Sequence, residues 1–265
     1  MIRLIASDID GTLIKDSTPD LYPEMADAIR ELKKRDILFC AASGRQYESI
    51  RNVFRDIKEG IVFIAENGAQ IRYQEKDIRL TLMRREYAEA IIRQLREYEG
   101  MCDIMVSTPN GGLVESRNKA FVDLLTYGYR NKFTLVDDVL EEGAEIIKIA
   151  VYQKDSIREL GESVLIPQWG DKVKACMSGD EWVDFMDLSV DKGKALAFIQ
   201  DYFHISKEET MAFGDNNNDI GMMRAAAESY AVENAREEVK TAAKHICPSY
   251  LEKGVYRIVK DLILT

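Results

Sequence analysis

Three short apolar runs, 2–7, 37–42 and 61–65, alternate with stretches whose apolar residues recur at helical spacing. This alternation constrains the fold more than any other feature of the chain. In the stretch 23–35, Met25, Ala28, Ile29 and Leu32 fall on one helical face, and Pro23 suits a first helical turn. A second helix is expected over 46–55. Strands joined through helices by such short connections must run parallel, because a hairpin cannot join them. The rhythm breaks near residue 82. A charged amphipathic helix over 86–98 is followed by short runs at 101–107, 113–115, 146–151, 173–177 and 182–186, with a helix over 118–127 and another starting near Asp155. Pro109-Asn110-Gly111-Gly112 and Ser178-Gly179-Asp180 read as turns between strands. The first rhythm returns with helix 192–203, strand 211–213, helix 219–226, strand 230–232 and helix 235–244. The expectation is a discontinuous α/β core, residues 1–81 and 188–265, with an α+β domain inserted at 82–187.

In an open parallel sheet, ligands bind beyond the carboxyl ends of the strands. The polar residues that follow the expected strands are Asp8 and Asp10, then Ser43-Gly44-Arg45, then Glu66-Asn67-Gly68, and then Asp215 through Asp219. Carboxylates from two strands converging at one edge cannot all stay ionised without a cation. Oxygen-rich surroundings with only two histidines in the chain favour magnesium over zinc. Each segment has a plainer reading when taken alone. Asp8-Ile9-Asp10-Gly11-Thr12 can be a strand ending in an Asp-Gly turn, Ser43 an N-cap, Lys192 a solvated side chain, and 215–219 a polar loop.

Taken together and in this order, the segments resemble the motifs of the haloacid dehalogenase superfamily. Asp8-x-Asp10-Gly11-Thr12, Ser43-Gly44-Arg45, Lys192-Gly193-x-Ala195-Leu196 and Gly214-Asp215-x-x-Asn218-Asp219 are similar to its four motifs. Glu66-Asn67-Gly68-Ala69, the stretch from Asn234-Ala235 to Gly254-Val255, and the size and place of the insert resemble the Cof-type subfamily, subclass IIB. The resemblance implies a Rossmann-like core with an α/β cap, and a magnesium-dependent phosphatase working through an aspartyl phosphate. It implies Asp8 as nucleophile and Asp10 as acid and base. It implies a metal held by Asp8, Asp10 and Asp215, with Asp219 completing the acidic cluster. Thr12, Ser43, Gly44, Lys192 and Asn218 would bind the phosphate, and Arg45 and Asn67 are candidate contacts to the leaving group. The expected partner is a small phosphorylated metabolite such as a sugar phosphate. A sugar phosphomutase with the same nucleophile and a catalytically silent binding protein are the alternatives. Trp169 and Trp182 are expected to pack rather than to form sugar platforms.

Composition bears on the partners. A formal net charge of −10 argues against nucleic acid. The four cysteines are far apart and form no CxxC pair, so they read as reduced thiols. Met1 runs straight into the first strand, and no apolar run approaches the roughly 20 residues of a membrane span. A cytoplasmic protein is expected, and the sequence says nothing of its oligomeric state.

Overall fold

The computed structural model describes residues 1–15 and 20–264. Two compact units emerge: Met1–Arg79 together with the chain from Asp191 onward, and Leu80–Val190. The second unit reaches a little beyond the expected 82–187. Val190 is buried, and the Lys174 ammonium donates to its carbonyl at 2.8 Å, which ties this residue to the inserted unit.

In the first unit, strands β1 (Leu4–Asp8), β2 (Leu38–Ala42), β3 (Ile61–Ala65), β4 (Gln70–Tyr73) and β5 (Lys76–Leu80) are joined by three late strands. With the six strands of the inserted unit counted in chain order, these are β12 (Thr210–Gly214), β13 (Glu228–Val232) and β14 (His245–Cys247). The sheet order is β14-β13-β12-β1-β2-β3-β4-β5. From β14 to β3 every neighbouring pair is parallel. Every residue of β1, β3 and β12 is buried, as expected of parallel strands covered on both faces. The Pro23–Lys34 helix buries Met25, Ala28, Ile29 and Leu32, the predicted face, with Glu24 in its first turn and Lys33 and Lys34 in its last. The Lys192–Phe203 helix starts where the Asp191 carboxylate accepts from the Lys194 amide at 3.0 Å.

Strands β4, β5 and β14 and the Gly254–Val259 helix are missing from the sequence reading. The β4–β5 hairpin turns through Gln74 and Glu75, both at positive φ (49° and 63°). Asn-Gly or Asp-Gly usually fills such a turn, and β5 (Lys-Asp-Ile-Arg-Leu) is mostly exposed, so neither turn chemistry nor hydrophobicity marks it. Strand β14 has three residues, and the Gly254–Val259 helix six. The helix expected over 235–244 shortens to Glu237–Ala242. Ala235 lies in a turn closed on the Val232 carbonyl, and Arg236 is held extended, its amide donating to the Asp215 carbonyl at 2.9 Å.

The second unit carries β6 (Asp103–Thr108), β7 (Gly111–Val114), β8 (Phe133–Leu135), β9 (Lys148–Tyr152), β10 (Lys174–Met177) and β11 (Trp182–Met186), in the order β10-β11-β9-β6-β7-β8. All pairs are antiparallel except β7–β8. Both expected hairpins, β6–β7 and β10–β11, are present. The short β8 is missing from the sequence reading, and the helix expected from Asp155 begins at Arg158. The Arg85–Leu95 helix packs Ala88, Ile91, Ile92 and Leu95 into a core with Val106, Val151, Val183, Phe185 and Trp169. Trp182 packs with Tyr152 and Phe121. Among the described residues, no helix is long and apolar enough to cross a membrane.

Candidate active site

The sheet order places the carboxyl ends of β12, β1, β2 and β3 side by side, one strand spacing of about 5 Å apart. Polar segments far apart in sequence therefore meet at one edge. After β1 the chain turns at Gly11, at φ 80°, where a side chain would be strained. After β3 the turn runs through Glu66, Asn67 and Gly68, all at positive φ (49°, 57° and 106°).

The centre is a buried charge cluster. The Lys192 ammonium donates to Asp8 Oδ1 at 2.6 Å and to Asp219 Oδ1 at 2.7 Å. The second oxygen of Asp219 accepts the amides of Asp215 (3.0 Å) and Asn216 (3.1 Å). Asp219 is thus committed on both oxygens and shapes the 215–219 loop. Thr12, fully buried, donates its hydroxyl to Asp215 Oδ1 at 3.0 Å. The loop after β1 is also braced from outside: the Asn234 side-chain amide donates to the Gly11 carbonyl at 2.7 Å. The roles of Thr12 and Asn234 as braces carry no sequence signal, since each needs a partner more than 200 residues away.

Asp8, Asp215 and Asp219 each offer an oxygen within 4.8 Å of the others. Burial lifts the Asp8 carboxyl well above the usual carboxylate range, and the charge of Asp219 adds to the rise, while Lys192 pulls against it. Burial opposes the charge on Lys192, but Asp219 and Asp8 outweigh it and raise its pKa. Asp8 Oδ2 is buried and has no hydrogen-bond partner. Three carboxylates face one ammonium, and the orphaned oxygen calls for a proton or a cation. The set fits a divalent metal ion with oxygen ligands, held through Asp8 and Asp215 with Asp219 supporting.

The other expected residues gather around this cluster. Ser43 is buried, and its hydroxyl accepts the Arg45 amide at 3.1 Å. The Ser43 carbonyl accepts the Asn67 amide at 3.0 Å. A Cβ on Gly44 would sit 3.1 Å from the Asn67 side chain. Asn218 donates to Asn67 Oδ1 at 2.9 Å, while its own Oδ1 is buried without a partner. Arg45 donates through Nε to Asp10 Oδ2 at 2.6 Å and through a terminal nitrogen to Asp10 Oδ1. Chemically, this is a buried carboxylate held beside a fixed cation, with a second carboxylate two residues on and polar groups converging from three further strand ends.

Comparison with known proteins agrees with this geometry. The family model of the haloacid dehalogenase-like hydrolases matches residues 5–259. The 5-amino-6-(5-phospho-D-ribitylamino)uracil phosphatase of Escherichia coli is 26% identical over 99% of this chain and 96% of its own. A solved structure from Eubacterium rectale is 36% identical, with a TM-score of 0.89 over 99% of both chains. The subclass IIB sugar phosphatase BT4131 shares the fold, with a TM-score of 0.82 at 23% identity over 97% of this chain and 98% of its own. The chain therefore belongs to the haloacid dehalogenase-like hydrolase family and is an enzyme.

Proposed function

We propose that this hydrolase is a magnesium-dependent phosphatase of small phosphomonoesters, sugar phosphates or related metabolites, acting through an aspartyl phosphate on Asp8. The observation that carries the reading is the Asp8 carboxylate: one oxygen is held on Lys192 at 2.6 Å, the other is buried and unpartnered, and the group clusters with Asp215 and Asp219 within 4.8 Å. The phosphorylated ribityl chain on which the E. coli relative acts supports the substrate class.

In this mechanism Asp8 attacks phosphorus in line, and the leaving oxygen takes a proton from Asp10. Water then attacks the aspartyl phosphate, giving its proton to Asp10 and freeing Asp8 and inorganic phosphate. Lys192 holds the nucleophilic carboxylate in place and offsets charge on the transferring group. Ser43, Gly44 and Asn218 bind the phosphoryl oxygens. Thr12, fixed on Asp215, keeps the loops after β1 and β12 in register. Magnesium, held by Asp8, Asp215 and the Asp10 backbone with Asp219 behind them, would supply charge neutralisation for an anionic substrate at an acidic site. Asn67, beside Gly44 and Asn218, is assigned to face the leaving group.

The test is phosphate release from a panel of sugar and sugar-alcohol phosphates, with magnesium or with chelator. The reading predicts magnesium-dependent turnover that Asp8→Asn abolishes and Asp10→Asn slows in both half-reactions. Turnover retained by Asp8→Asn refutes it.

A further inference from the structure

The geometry points to Arg45 as the positioning residue that orients the Asp10 carboxylate for the water step. The inference rests on the acid–base reading of Asp10 and adds to it the partner that aims it. Both Asp10 oxygens accept from one guanidinium, Oδ2 from Nε at 2.6 Å and Oδ1 from a terminal nitrogen. Such a fork fixes the plane and the distance of a carboxylate, which a single ammonium does not.

Arg45 is itself held. Its side chain is only 8% exposed, against 28% for Asp10. Its amide donates to Ser43 Oγ, and its carbonyl accepts the Glu66 amide at 3.0 Å. Glu66 opens the run of three positive-φ residues, a backbone that persists only where its surroundings over-determine it. The fork is therefore anchored to the β2 and β3 ends of the sheet and not to a loose side chain.

In the second half-reaction the water oxygen bonds to phosphorus, the bond from phosphorus to the Asp8 oxygen breaks, and the water proton passes to Asp10, so the direction in which that carboxylate is held sets the rate. In the first half-reaction the proton travels from Asp10 to the leaving oxygen. A leaving group that departs as a stable anion, such as p-nitrophenolate, does not need that proton. With such a substrate, loss of the fork slows only hydrolysis of the phosphoenzyme.

The experiment uses p-nitrophenyl phosphate with magnesium, comparing wild type, Arg45→Lys and Arg45→Met. Steady-state constants are measured together with the fraction of enzyme trapped as phosphoenzyme after a rapid quench. In Arg45→Met, kcat should fall on the order of 10²-fold, the scale of a misplaced catalytic group. KM should fall in step, so that kcat/KM stays near wild type and phosphoenzyme accumulates as a burst. Arg45→Lys, which keeps the charge but not the fork, should lie between the two and covers the case in which Arg45→Met does not fold. A KM that rises with kcat unchanged would make Arg45 a substrate contact and overturn the inference. So would a fall in kcat/KM without phosphoenzyme. A wild type that never forms phosphoenzyme while still turning over refutes the aspartyl-phosphate mechanism itself, a different failure from either of these.

Discussion

Replacing Lys192 with methionine is the most informative single change at the cluster. The lysine side chain is fully buried, and its ammonium bridges Asp8 at 2.6 Å and Asp219 at 2.7 Å. Methionine fills similar volume but leaves two buried carboxylates facing each other. Removing one partner of a buried pair costs about 3–5 kcal/mol, because the remaining charge keeps its desolvation penalty and loses its attraction. Neighbouring sites can relieve part of this by protonation, and Asp8 is already shifted in that direction. At about 2–4 °C per kcal/mol for a chain of this size, the melting temperature should drop on the order of 10 °C in chelator at neutral pH. The drop should shrink at acidic pH, where Asp8 is protonated in both proteins. Calorimetry with and without magnesium, at pH values on either side of the carboxylate range, measures it. A melting temperature unchanged at neutral pH would refute the argument that Lys192 compensates these carboxylates. Phosphate release should fall by several orders of magnitude in the same variant.

Thr12→Val removes the hydroxyl that fixes Asp215. It should lower stability by about 1 kcal/mol and raise the magnesium concentration for half-maximal activity about 10- to 100-fold, read from a magnesium titration. Gly193→Ala would bring a Cβ to 2.3 Å from the Gly221 backbone. The helices must part there, so melting should show a loss of about 1–3 kcal/mol or more, and activity should fall with the displacement of Lys192. Because the folded Asp8 carboxyl is raised, the fold binds that proton at pH values where the unfolded chain has released it. Its contribution to stability is present below the ordinary carboxylate pKa of about 4 and is lost as pH rises towards the folded value. Magnesium should therefore raise the melting temperature more at neutral than at acidic pH, and Asp8→Asn should remove most of that difference. An equal magnesium effect at both pH values contradicts this.

The parallel core and the site were legible because both rest on local signals that topology then assembles. Buried strands such as 61–65 are continuous apolar runs, and the polar residues that gather at the candidate site follow them directly. Asp8, Asp215, Asp219 and Lys192 meet because β12, β1 and the Lys192–Phe203 helix must pack, which the alternation of elements implies. What escaped was either short, exposed or non-local. Strand β5 has only Ile78 and Leu80 as apolar residues and is otherwise exposed, too short an alternation to read. The Gln74-Glu75 turn adopts positive φ without the residues that usually announce it. The fork between Arg45 and Asp10 spans 35 residues, and only the side-by-side placement of β1 and β2 brings its partners together. The partners of Thr12 and Asn234 lie further away still.

The central claim is that Asp8 carries the phosphoryl group during turnover. Wild-type enzyme mixed with substrate and magnesium, quenched in acid within one turnover, digested and read by mass spectrometry tests it most directly. The account predicts a phosphorylated peptide whose modification maps to Asp8, absent from Asp8→Asn and absent in chelator. Turnover with no modified peptide, or with the phosphoryl group mapped to another residue, would contradict it.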